Sequence, residues 1–185
     1  MLEYIYHMTT IRTLLVVVII FSLMEGCHAK KEGDGSNRFQ IIDIGQKAPD
    51  MPMVGIDGEV FRLDRFNDKV IVLNFWATWC PPCTKEMPLL ESTYKRYKEK
   101  GFVIVGINYN EDKERVSEFV NKAGVTFPIV IDNELKLTRT YRVLSLPATF
   151  FIDRKGIIRD IYRGEIHEKI IASKVGPLIL QEKGH

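Results

Sequence analysis

The stretch Trp79-Cys80-Pro81-Pro82-Cys83 constrains this chain more than any other, because it holds two of the three cysteines and stands where a strand must give way to a helix. Upstream, Val70-Ile71-Val72-Leu73-Asn74-Phe75-Trp76 is a short apolar, β-branched run of the kind that forms a strand covered on both faces. Downstream, Pro81 and Pro82 suit the first positions of a helix, where a missing N–H costs nothing and the fixed φ is already helical. Cys80 therefore falls at the N-terminal end of that helix, where unpaired N–H groups and the macrodipole favour an anion. A thiol there has a lowered pKa, and its thiolate is available as a nucleophile.

Cys83 follows one helical turn later on the same face, so the pair can close a disulfide and open it again, which is thiol–disulfide exchange chemistry. Half of a zinc site is the competing reading. Closed zinc sites need four ligands and characteristically pair two such spacings, whereas here there is no second pair and the four histidines are scattered. A permanent disulfide stapling the helix start is the other alternative, and so short a loop removes little unfolded-state entropy.

The run Asn74-Phe75-Trp76-Ala77-Thr78-Trp79-Cys80-Pro81-Pro82-Cys83-Thr84-Lys85-Glu86-Met87-Pro88 resembles the active-site signature of exported thioredoxin-like proteins of the TlpA/ResA type. The resemblance extends from about Ile44 to the C-terminus and is specific again at Leu146-Pro147-Ala148-Thr149-Phe150-Phe151-Ile152-Asp153. It implies a thioredoxin-like α/β fold: a central mixed sheet flanked by helices, with an added N-terminal β-hairpin and a mid-chain helix-and-strand insertion. It also implies a cis Leu146–Pro147 bond lying against the cysteine pair, where X–Pro bonds in general are cis in only about 5–6% of cases. The backbone of Leu146 would then pair with an extended substrate segment. The substrates it suggests are disulfides of exported proteins, apocytochrome c among them, with electrons drawn from a membrane thiol carrier.

With 185 residues, 45% of them apolar and 27% charged, the chain allows one ordinary globular domain with a proper core. A net charge of +2 is too small to argue for nucleic acid or another polyanionic partner. Thr13 to Met24 is an apolar run behind Arg12. It is short for a membrane span, which needs roughly 20 residues, but right for a secretory signal. Met8 is a plausible start, leaving the compact basic region Met8-Thr9-Thr10-Ile11-Arg12 ahead of the run.

Leu23-Met24-Glu25-Gly26-Cys27 resembles a bacterial lipoprotein cleavage site with Cys27 lipidated, although Met24 and Glu25 depart from its usual residues. Ordinary cleavage after Ala29 and an uncleaved anchor are the alternatives; the lipoprotein reading is preferred because it gives the third cysteine a role. The expected organisation is a leader over 1–29, a flexible tether over 30–40 rich in Gly, Lys, Asp and Ser, and the domain over 41–185. The protein is expected to be exported, tethered by its N-terminus at the outer face of the membrane, and monomeric.

Within the domain, Asp57-Gly58 between apolar runs signals the hairpin. The helix after Cys83 is predicted to reach about Lys100 and stop at Gly101, with a kink at Pro88 and Leu89, Leu90, Tyr94 and Tyr97 as its buried face. A strand is expected over Phe102–Asn108, a helix over Glu111–Ala123, a strand over Phe127–Ile131 and a short helix over Glu134–Tyr141. Ala148–Asp153 and Ile157–Tyr162 read as an antiparallel hairpin. A closing helix after Gly164 should kink, or end and restart, at Gly176-Pro177.

Glu86, three residues after Cys83, has two readings. It is either an acidic residue complementing the helix dipole or, as the resemblance implies, a partly buried carboxylate with a raised pKa that relays the proton of Cys83. Trp79 is assigned with Pro81, Pro82 and Leu146 to the docking surface, while Trp76 packs inside and His167 lies on the surface. A Sco-type copper site would want a wider cysteine spacing. Peroxiredoxins share the architecture but carry a Pro-x-x-x-Thr-x-x-Cys pattern, and Leu73 and Ala77 stand where its Pro and Thr would precede Cys80. A non-catalytic chaperone or binding module is the remaining rival. Dithiol chemistry needs no cofactor and no metal. The expectation is an oxidoreductase in which Cys80 attacks, Cys83 resolves, and Glu86 and Pro147 assist.

Overall fold

The computed structural model describes residues 42–180, so the leader, the tether and Cys27 lie outside the described residues. Strand β3 (Val70–Trp76) is buried along its whole length, and its side chains alternate between two apolar layers as a pleated strand requires. Ile71, Leu73 and Phe75 enter one layer with Phe150, Tyr141 and Leu137. Val70, Val72 and Trp76 enter the other with Met87, Leu90, Val116, Phe151, Ile171 and Val175. Asn74 falls on this second face, the one polar residue in a strand of apolar ones, and that placement shapes the site.

Strands β1 (Met53–Val54) and β2 (Val60–Phe61) form the separate N-terminal hairpin. The main sheet adds β4 (Phe102–Asn108), β5 (Ile129–Ile131), β6 (Ala148–Ile152) and β7 (Ile158–Arg163), in the spatial order β5-β4-β3-β6-β7. Strands β3, β4 and β5 run parallel, while β6 and β7 are antiparallel to their neighbours, so the sheet is mixed. Register places Asn74 between Gly106 on one side and Thr149 on the other. Gly106 is required by close approach: a Cβ there would lie 3.1 Å from Trp76 Nε1 and 2.8 Å from Ile129 Cδ1.

Among the described residues the domain has four α-helices: α1 (Pro81–Tyr97), α2 (Lys113–Ala123), α3 (Lys136–Thr140) and α4 (Glu168–Leu180). The fold is thus thioredoxin-like α/β, with the hairpin ahead of the sheet and α2, β5 and α3 inserted between β4 and Pro147.

Several boundaries differ from expectation. Helix α1 is α-helical only to Tyr97; Lys98–Lys100 tighten into a 3-10 turn that ends at Gly101, in the left-handed region at φ 73°. Its inward face holds Glu86, Glu91 and Thr93 as well as Leu90, while Leu89, Tyr94 and Tyr97 are half-buried. Helix α2 starts at Lys113, because Asp112 is extended at its N-cap; Glu111 precedes the helix, with its carboxylate bonded to Thr78. Strand β5 is shorter than the apolar run, and α3 starts only at Lys136, after Leu135 turns left-handed at φ 53°. Of the two outcomes expected at Gly176-Pro177, an end and restart is ruled out: α4 runs on through the pair. Ile171, Val175 and Leu178 form one buried face across the pair, and tertiary packing outweighs the lost hydrogen bond.

Candidate active site

The path from β3 to α1 is built by local chemistry. Beyond Trp76 the chain turns, with the Cys80 N–H donating to Ala77 O at 3.2 Å. Cys80 is the N-cap of α1 with extended backbone, Pro81 and Pro82 fill the first two helical positions, and the Cys83 N–H donates to Cys80 Sγ at 3.3 Å. A sulfur therefore takes the place of the usual capping oxygen. Cys80 and Cys83 are joined in a disulfide with Cα atoms 5.2 Å apart. Cys83 is fully buried and Cys80 nearly so.

Trp79, Cys80, Pro81, Pro82 and Leu146 line one shallow groove of about 390 Å³, joined by Tyr109, Val143, Leu144 and Ser145. None of these residues is charged. Trp79 is 59% exposed and Leu144 90%, and the Tyr109 ring meets Trp79 edge-on at 6.3 Å. The Leu146–Pro147 bond is cis, and Pro147 leads directly into β6, its carbonyl accepting from Gly164 N–H at 2.9 Å. Trp76 is buried inside and His167 is exposed, as the sequence suggests.

Three residues after Cys83 on α1, Glu86 is 1% exposed. Asn74 Nδ2 donates to its Oε1 at 2.7 Å and the Ile166 N–H to its Oε2 at 2.6 Å. Asn74 Nδ2 also reaches Thr149 Oγ1 at 3.0 Å, tying β3 to β6. Burial raises the Glu86 pKa to about 7; the two hydrogen bonds oppose that rise and the nearby charge of Glu165 adds to it. The dipole-complement reading of Glu86 does not describe this environment, since the side chain is enclosed rather than solvated. Among the described residues no group of three or more His, Cys, Asp or Glu side chains could hold a metal ion.

Two parts of the site escape sequence reasoning. Asn74 and Thr149 are spaced 75 residues apart and meet only through strand register. Glu111, taken for a helix start, instead bonds Thr78 across 33 residues. The one available signal was a polar residue inside each otherwise apolar strand.

A disulfide-bonded cysteine pair at the head of a helix, on a thioredoxin-like sheet and beside an uncharged groove, is the arrangement of a thiol-disulfide oxidoreductase. Comparison with known proteins agrees with that class. Residues 44–161 match the AhpC/TSA family, and the chain belongs to it. It is 38% identical over 130 residues to the thiol-disulfide oxidoreductase ResA of Geobacillus kaustophilus, covering 70% of this chain and 75% of the relative. To ResA of Bacillus cereus it is 36% identical over 145 residues, or 78% and 79% of the two chains. Among solved structures, a thiol:disulfide interchange protein from Chlorobium tepidum superposes with a TM-score of 0.68 at 26% identity, covering 74% of this chain and 98% of that one. StoA from Bacillus subtilis gives 0.61 at 27% identity, covering 71% and 98%.

Proposed function

We propose that this oxidoreductase is an exported reductase of protein disulfides. The observation that carries the reading is the placement of Cys80 in an uncharged groove, with Cys83 and Glu86 both buried on the helix that it caps. In the dithiol form, the Cys80 thiolate attacks a substrate disulfide, forming a mixed disulfide and releasing one substrate thiolate. Glu86, with a pKa near 7, accepts the proton of the Cys83 thiol. The Cys83 thiolate then attacks Cys80 Sγ, the second substrate thiolate leaves, and the 80–83 disulfide is restored. Trp79, Pro81 and Pro82 form the docking surface, and the Leu146 backbone before cis-Pro147 pairs with the incoming segment.

The direction of electron flow follows from the helix head. Cys80 Sγ receives one N–H, that of Cys83, because Pro81 and Pro82 have none to give. No side-chain cation lies between the cysteines, so the thiolate is only moderately stabilised and the reduced form is not strongly favoured. We therefore assign a potential on the order of −200 mV or lower. Disulfides of exported proteins, apocytochrome c among them, are the proposed substrates, with electrons from a membrane thiol carrier. The leader 1–29, the tether 30–40 and Cys27 as lipid acceptor would hold the domain at the membrane; among the described residues no helix is long and apolar enough to cross one. Peroxide reduction is not proposed, since Leu73 and Ala77 replace the residues that support a peroxidatic cysteine.

Mass spectrometry of partners trapped in the native host tests the assignment. Cys83→Ser should accumulate mixed disulfides through Cys80, and trapping by Cys80→Ser instead would reverse the two roles. A glutathione titration tests direction: a potential near −120 mV, that of strong oxidases, would overturn the reductase reading.

A further inference from the structure

We propose that Glu111 is a positioning residue for the redox site, holding the loop that presents Cys80 and Trp79 through a clamp on Thr78. The carboxylate is 8% exposed and three donors converge on it. The Thr78 N–H donates to Oε2 at 2.7 Å, the Thr78 hydroxyl to Oε1, and Asn108 Nδ2 to Oε2 at 2.7 Å. Asn108 is itself fixed: it is the fully buried last residue of β4, and its Oδ1 accepts the Glu111 N–H at 3.2 Å. The same turn carries Tyr109, whose N–H donates to Trp76 O at 2.9 Å and whose ring backs Trp79. One short turn after β4 thus grips the β3–α1 loop on both sides of Ala77.

The grip matters most when the disulfide is open. In the oxidised protein the 80–83 bond ties Cys80 to α1; in the dithiol that tie is gone, and the Glu111–Thr78 clamp remains to keep the sulfur facing the groove. Losing the clamp therefore harms the dithiol more than the disulfide, slows attack on substrate, and moves the potential to more negative values.

The inference rests on Cys80 being the attacking thiol, and the test separates the two. With insulin as the disulfide substrate, Glu111→Ala should lose about tenfold in the rate of reduction, since small misplacements of a reacting group carry penalties of this order. Its equilibrium with glutathione should shift several-fold toward the oxidised protein. Glu111→Gln should stay within about twofold of the parent, because its amide oxygen can accept from Thr78 and Asn108 N–H groups while its NH2 donates to the Thr78 hydroxyl. An Ala variant matching the parent in both rate and equilibrium would overturn the proposal. So would a Gln variant as impaired as Ala with an unchanged melting temperature, which would assign the effect to charge. If Glu111→Ala does not fold, Thr78→Val removes only the hydroxyl donor and should slow reduction by about threefold; no change would equally overturn the clamp. Peptide mapping of the faster-alkylated cysteine identifies the attacking thiol irrespective of Glu111, so a failure there counts against Cys80 rather than against the clamp.

Discussion

Helix α1 carries two buried carboxylates, Glu86 near its head and Glu91 in its middle, and their surroundings drive them in opposite directions. Burial disfavours charge on both. At Glu91 that penalty is outweighed by the Thr126 N–H at 2.8 Å, the Thr126 hydroxyl at 2.7 Å and the Lys95 ammonium at 3.0 Å, so its pKa is lowered. At Glu86 the partners are one side-chain amide and one backbone N–H, with no cation, and the pKa rises to about 7. The difference teaches what separates a fastener from the proposed proton carrier: both are closed to solvent, but Glu86 lies the deeper of the two, and a hydroxyl and a cation reach only Glu91. Glu91 locks the helix to the loop before β5, and Glu86 is left poised to change charge near neutral pH.

The largest effect that could break this comparison is in the pH dependence of stability. In the oxidised protein neither cysteine titrates, so the carboxylates can be read directly. Glu86 has a folded pKa of about 7 against an ordinary value of 4.5, so the folded state binds the extra proton between these values and stability should fall as pH rises through the window. The drop should be about 3 kcal/mol, and denaturant titrations from pH 4 to pH 8 should show it flattened in Glu86→Gln. Glu91 has the opposite sign, contributing stability above its unfolded pKa that is lost as pH falls through its lowered folded pKa.

Next in size, Glu86→Gln should slow turnover by about a hundredfold and remove the pH-rate inflection near neutrality, the range expected for loss of general acid–base assistance. Glu91→Gln should leave turnover intact and cost about 2 kcal/mol of stability, because bonds to a charged acceptor are lost or weakened. Thr126→Val should cost about 1 kcal/mol through its hydroxyl alone. Smallest of all, Lys95→Ala should cost under about 0.5 kcal/mol, since Lys95 is largely exposed. A larger loss of activity in Glu91→Gln than in Glu86→Gln would collapse the distinction.

The sequence alone exposes the skeleton of this site and hides its wiring. Cys80, the proline pair and the β-branched strand before them carry local signals of helix start, helix cap and buried strand, and local signals survive folding. Glu86 is legible as a position but not as a depth, because its enclosure depends on Asn74 and on the loop at Ile166, 80 residues away. Glu111 obeys the same logic in reverse: the helical spacing of Val116, Phe119 and Val120 is real, and the residue that precedes it is claimed by a distant threonine. At Gly176-Pro177 the local signal allows a break, and the core keeps the helix continuous, since Leu178 is buried on the same face as Ile171 and Val175.

Both outer strands of the sheet are partly sealed. The hairpin connection lies on β5, with Ile56 N–H donating to Ile129 O at 2.8 Å and Gly55 bridging to Val130. Residues 45–48 lie along the start of β7, where the Gly45 N–H donates to Ile158 O at 2.8 Å, the Ile158 N–H to Gln46 O at 2.9 Å and the Ala48 N–H to Gly156 O at 2.9 Å. What remains of β7 carries Arg159, Asp160 and Arg163, charges that discourage another strand from adding on. A protein whose proposed work is to hold other chains by their sulfurs must meet them while they are unfolded and adhesive. Sealed edges let it take hold of such a chain at one groove and release it, without becoming the template on which the client aggregates.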